Sequence, residues 1–225
     1  MSESLTIAIL GGTGDLGTGL ARRWAQAGNR VIIGSRKLEK AQEALANLQS
    51  VMAERGIDKI EVEAMANQDA AAAASIVVLT VPWAHHGSTL ESVSDQLQGK
   101  ILVDVTVPLV PPKVGTVQLP ESGSAGQAAQ ALLGENVRVV SAFQNVAAAH
   151  LQEGHGLDCD VLVSGNDKAA RQQVIELANA AGLRGFHAGP IANAAAAEAL
   201  TSVIIQINRA YKVHAGIRIS GLPEE

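Results

Sequence analysis

One cysteine, Cys159, occurs in 225 residues. Neither an intrachain disulfide nor a cysteine-based zinc site can form from it. A reducing, cytoplasmic setting is the expectation. Aromatic residues make up 2% of the chain: two Phe, two Trp and one Tyr. A protein that binds single-stranded nucleic acid by stacking bases needs more rings than this. Basic residues are also few, 17 against 22 acidic ones for a net charge of −5. No basic field is present to draw in nucleic acid or an anionic membrane. No run of 18 apolar residues occurs, so no membrane span is expected. The first residues lack the basic and apolar regions of a signal peptide. Any anion must be held by a local site.

What the chain does have is aliphatic bulk. Hydrophobic residues are 47% and charged residues 17%, the reverse of a disordered composition. The length suits one large domain with a small appendage. Short β-branched runs alternate with Ala-rich helical stretches. Strands are expected at Leu5–Leu10, Arg30–Gly34, Ile60–Ala64, Ser75–Val81, Ile101–Val107, Val137–Ala142, Val161–Ser164 and Gly185–Gly189. Helices are expected at Asp15–Gly28, Leu38–Arg55, Gly87–Leu97, Gln127–Leu133, Asp167–Ala181 and Ala192–Val213, and Ala70–Ala74 leads into the strand at Ser75–Val81. Residues 107–126 hold four of the seven prolines and read as a loop. Strand, helix and strand at this spacing indicate βαβ units and a parallel sheet covered on both faces. The fold class expected is α/β: a doubly wound, mostly parallel, Rossmann-type sheet over residues 1–190. A small helical piece follows over 191–225.

The first strand ends in Gly12-Thr13-Gly14-Asp15-Leu16-Gly17, a G-x-G-x-x-G run that opens a helix. Gly12 permits the tight turn, Gly14 lets a pyrophosphate approach the backbone, and Gly17 lets helix and strand pack closely. The free N–H groups of the helix start would face the phosphates. Asp15 is expected to cap the helix with its carboxylate.

Sites selective for NAD carry an acid at the end of the second strand. Here that place reads Gly34-Ser35-Arg36-Lys37, with no acid. Ser35 can donate to a 2′-phosphate, and Arg36 can pair with it and stack on adenine. Lys40 adds a charge one turn on. NADP(H) is therefore expected over NAD(H).

These segments, together with Leu79-Thr-Val-Pro-Trp83, Ala84-His85, Gly189-Pro190, Glu198-Ala-Leu-Thr201 and Gly216-Ile-Arg218, resemble the coenzyme F420-dependent NADP oxidoreductases. The resemblance spans nearly the whole chain, in the family's order. It implies an oxidoreductase in which hydride passes directly between nicotinamide C4 of NADP(H) and C5 of the deazaflavin coenzyme F420. It implies that Thr13 to Leu16, Ser35, Arg36 and Lys40 bind NADP(H), and that Val81 and His85 flank its ribose and nicotinamide. Val110, Ala148 and Ala215 correspond to residues of the same cleft. Residues 141–148 depart from family members that carry His and Pro there.

Such a transfer needs aligned rings and a dry site rather than a catalytic acid or base. None is assigned, and His85 is weighed equally as a helix cap. His150 and His155 are spaced i, i+5, which fits no zinc pattern, so no metal is expected. Cys159 reads as a buried filler. Arg209, Lys212 and Arg218 could meet the anionic tail of a deazaflavin or face solvent. The apolar last helix makes a homodimer the expected assembly. The alternatives left open are an NADP-dependent imine or carbonyl reductase of the pyrroline carboxylate reductase kind, and an NADP(H)-sensing protein without enzyme activity.

Overall fold

The structure is a computed structural model and describes residues 5–57, 59–153 and 157–222. Its strands are β1 (Thr6–Leu10), β2 (Arg30–Ser35), β3 (Val62–Ala66), β4 (Ile76–Leu79), β5 (Ile101–Asp104), β6 (Arg138–Ser141), β7 (Asp160–Gly165) and β8 (Arg184–Gly189). Its helices are α1 (Asp15–Gln26), α2 (Leu38–Glu54), α3 (Asn67–Ala73), α4 (His86–Leu97), α5 (Ala125–Leu133), α6 (Ala148–Leu151), α7 (Lys168–Ala180) and α8 (Ala194–Tyr211).

The strands form one sheet in the order β3-β2-β1-β4-β5-β6-β7-β8. The first six run parallel, and β7 pairs antiparallel to β6. β8 returns parallel to β7, with a register shift between Val163 and Ser164. The chain starts in the middle of the sheet and winds outward both ways, so its direction reverses between β1 and β4. The carboxyl ends Leu10, Ser35, Leu79 and Asp104 share one edge there, where doubly wound sheets take their ligands.

The central strands are buried on both faces, which explains their unbroken apolar runs. One apolar cluster joins α1, α2 and α7 to the sheet, and another joins α3, α4 and α5. The two buried aromatic rings lie in the first. Trp24 meets Phe143 edge-on at 5.9 Å and donates through Nε1 to the Leu177 carbonyl at 2.8 Å.

The structure departs from the sequence expectations in several places, among them α3, which is not foreseen as a helix ahead of β4. β3 lies two residues later than expected, because the register with β2 runs from Val31↔Val62 to Ser35↔Ala66. Residues 105–107 leave the sheet after Asp104, whose side chain accepts from the Thr106 N–H and turns the chain. The short helix α6 has no sequence counterpart. It is docked from outside: Arg22, Arg23 and Arg55 donate to the carbonyls of His150, Leu151, Gln152 and Glu153 at its end. Burial, then the neighbouring guanidiniums of Arg55 and Arg23, lower the Arg22 pKa to about 10.

Beyond α8 the tail folds back on β7. Asp160 donates its N–H to the Ile217 carbonyl and accepts from the Ile219 N–H. Its buried carboxylate also faces Arg184 and Arg218. Gly216 sits where any Cβ would stand 2.5 Å from the Cys159 thiol. Burial pushes that thiol's pKa up, consistent with a filler.

Candidate functional site

The turn between β1 and α1 is built by glycine. Gly11 has a φ of +69°, and a Cβ there would stand 2.5 Å from Val81 Cγ1. The loops after β1 and β4 therefore touch across the switch point. A Cβ on Gly12 would meet the Ile9 carbonyl at 2.7 Å, and one on Gly17 would strike the Gly12 backbone at 2.6 Å. Gly14 differs: nothing lies within 4 Å of its missing Cβ. A side chain there would fill open space above the helix start.

Among the described residues no side chain caps α1. Gly14 occupies the N-cap position and Asp15 is the first helical residue. This corrects the expectation that Asp15 caps the helix, because its carboxylate lies past the cap position. An anion in the first turn is still favoured by the helix dipole. The first N–H groups of α1 are left for a ligand. Thr13 is exposed beside them. Residues of this chain fit a dinucleotide pyrophosphate.

At the end of β2, Ser35 is buried and its Oγ accepts from the Lys37 N–H at 3.3 Å, which leaves its own proton free to donate. Arg36 is exposed and makes no side-chain bond among the described residues. Lys40, one turn into α2, is exposed and bonded to Glu43 at 2.7 Å, which raises its pKa. Of the three groups expected around a 2′-phosphate, Ser35 and Arg36 stand ready. Lys40 is engaged elsewhere.

Val81 lies half-buried against Gly11, and Trp83–His85 form a short 3₁₀ turn behind Pro82. His85 is exposed in the cap position of α4 and makes no side-chain cap bond. His86, its neighbour, is buried and bonds Asp104 through Nε2 at 2.7 Å. The tilted ring of Trp83 covers it at 5.0 Å. Val110 is exposed in the loop that leaves β5, ahead of the cis Pro111–Pro112 bond. Ala148 starts α6, half-buried. Ala215 is half-buried in the tail, tied through its N–H to Asn208 Oδ1 at 2.7 Å. Val81 and His85 thus share the carboxyl edge with the glycine turn, while Ala148 and Ala215 lie on separate segments.

α8 fastens several of these segments. Asn145 Nδ2 donates to the Ala197 carbonyl and to Thr201 Oγ1, and Thr201 Oγ1 donates to the Gln144 carbonyl. Ser202 and Gln206 donate to the Thr116 and Gly115 carbonyls. Glu198, buried among them, accepts the N–H groups of Ala125 and Gly126 at the start of α5. Burial raises its pKa to about 8, and nearby Asp104 acts in the same direction.

Sequence reasoning missed three features: the His86–Asp104 pair, buried Glu198, and the arginines behind α6. A lone acid closing an apolar strand and a lone Glu in an apolar helix were the signals available. His150 bonds Glu153 and the His214 carbonyl, and His155 lies outside the described residues. Arg218 pairs with Asp158 and Asp160.

Comparison with known proteins agrees with this geometry. Residues 6–108 match the family described as NADP oxidoreductase, coenzyme F420-dependent. The chain is 42% identical to an F420-dependent NADP reductase of Methanocaldococcus jannaschii, over 97% of this chain and 99% of that one. A second protein so named, from Methanothermobacter thermautotrophicus, is also 42% identical, over 98% and 97%. A candidate F420-dependent NADP reductase of Arthrobacter sp. FB24 superposes with a TM-score of 0.75 at 31% identity, over 94% of this chain and 96% of that one. With the fold, the glycine turn and this similarity over nearly its full length, the chain belongs to the coenzyme F420-dependent NADP oxidoreductase family.

Proposed function

We propose that the protein transfers a hydride between C4 of NADP(H) and C5 of coenzyme F420. The observation that carries this reading is the uncapped, glycine-lined start of α1 beside Ser35 and Arg36, with no acid at the end of β2. The α1 N–H groups would hold the pyrophosphate, and Ser35 and Arg36 the 2′-phosphate. Val81 and His85 would border the ribose and nicotinamide. Residues 191–222 would complete the deazaflavin side, because α8 fixes the loops that carry Val110 and Ala148. The chain's own task is to bind, align and exclude water. In one direction NADPH and a proton are consumed as the deazaflavin is reduced.

A second copy of the chain fits the outer face of α8, where Val203, Ile207 and Tyr211 stand exposed one turn apart. The test of function is direct. Purified protein mixed with NADPH and oxidised coenzyme F420 should bleach the deazaflavin's visible absorbance. Tight NADPH binding without bleaching would refute the transfer and favour a sensing role.

A further inference from the structure

The pair His86–Asp104 has no part in the reading above, yet it is a fully enclosed side-chain hydrogen bond at the carboxyl edge. Asp104 is fully buried at the end of β5. One of its oxygens accepts from His86 Nε2 at 2.7 Å and the other from the Thr106 N–H at 2.9 Å. Its backbone carbonyl accepts from Gln144 Nε2 at 2.8 Å. Both ends of this aspartate are committed, so its position is fixed by β5 and β6 together. The imidazole it holds is equally fixed: a ring with one nitrogen bound to a buried carboxylate has a single orientation.

On that imidazole lies Trp83, at 5.0 Å between centroids and a tilt of 36°. Its backbone is set by Pro82, which precedes it at a φ of −58°. The chain has two tryptophans. Trp24 is consumed by the core, whereas Trp83 stands half-buried beside Val81 and His85. A large ring kept partly in water at a ligand-taking edge, and braced from behind by a buried hydrogen-bonded pair, is costly unless it meets a partner.

We propose that His86 is a positioning residue, which, anchored on Asp104, holds the Trp83 ring at the carboxyl edge of β4 as a platform for a planar heterocycle. The proposal rests on the reading under Proposed function, which supplies two planar heterocycles, the nicotinamide and the deazaflavin. They share the chemistry that an indole face recognises: a flat, electron-poor ring. Separate ligands distinguish them.

The test uses tryptophan emission of the full chain. Trp83→Phe leaves Trp24 as the sole emitter and supplies the background to subtract. NADP⁺ and oxidised coenzyme F420 are titrated separately. One of them should quench the Trp83 emission by at least half. Asp104→Ala should lower the Trp83 anisotropy and raise KM for the quenching ligand about tenfold, with kcat changed less and KM for the other ligand unmoved. Asp104→Asn keeps one acceptor oxygen for the Thr106 N–H and an amide group that can donate to Nε2 of the other His86 tautomer, and should restore anisotropy and KM. Should Asp104→Ala fail to fold, His86→Leu repeats the measurement with the carboxylate intact.

Turnover by the wild type with no Trp83 response to either ligand overturns this proposal and leaves the proposed function standing. Equal rises in both KM values, or Asp104→Asn behaving as Asp104→Ala, also overturn it. Binding of neither ligand by the wild type overturns both.

Discussion

Arg36 stands exposed at the end of β2 with its guanidinium uncommitted. A charge-assisted bond contributes about 1.5 to 3 kcal/mol, and a carboxylate in the same place repels a phosphate. Arg36→Glu should therefore weaken NADPH about a hundredfold or more and change NADH little. Calorimetry with both nucleotides decides it, and equal losses would refute the 2′-phosphate assignment. Gly14 makes a complementary case. Its φ of −84° and ψ of 170° suit any residue, and open space surrounds its missing Cβ. Gly14→Val should leave thermal unfolding within a few degrees of wild type, because strain-free surface changes move stability by only about 0.5 kcal/mol. Dinucleotide binding should disappear all the same. Retained binding would show that this turn holds no phosphate.

Between elements, Glu198 is the joint with a titratable charge. It binds α8 to the start of α5 while buried, with its pKa raised from 4.5 to about 8. Between those values the folded protein keeps a proton that the unfolded chain has released. Its contribution to stability is therefore largest below about pH 5 and falls as pH rises toward 8, by an amount on the order of a few kcal/mol. Glu198→Gln lacks this titration, so its stability relative to wild type should grow across the same range. Denaturant unfolding at several pH values measures it, and parallel curves for the two proteins would contradict it. Elements with their own periodicity were readable from the sequence: β1, α1, β2, α2 and the long α8 lie within a few residues of expectation. Glycine spacing and a missing acid likewise announced the turn and the end of β2. α6 was not readable, because four residues carry no period and its dock is made by arginines 97 to 131 residues away. The His86–Asp104 contact was hidden for the same reason, since only the pairing of β4 with β5 brings its partners together.

For the molecule as a whole, topology does most of the positioning. Six parallel strands wound outward from β1 bring the loops after β1, β2, β4 and β5 to one edge, and the antiparallel β7 lets the chain return with α8 across them. The outer face of α8 is then left apolar at Val203, Ile207 and Tyr211, with Tyr211 75% exposed. Replacing Val203 and Ile207 together by Glu should turn a dimer into a monomer in sedimentation velocity, with the NADPH affinity of each subunit preserved. A wild-type chain that already sediments as a monomer would dismiss that assembly. The returning tail carries a practical lesson for protein engineering. Asp160 is buried, and the main chain at Ile217 and Ile219 supplies two of its hydrogen bonds. Shortening the protein to Tyr211 would leave Asp160 with Arg184 alone, without the bonds it makes to Ile217, Ile219 and Arg218, so a truncated version should lose stability.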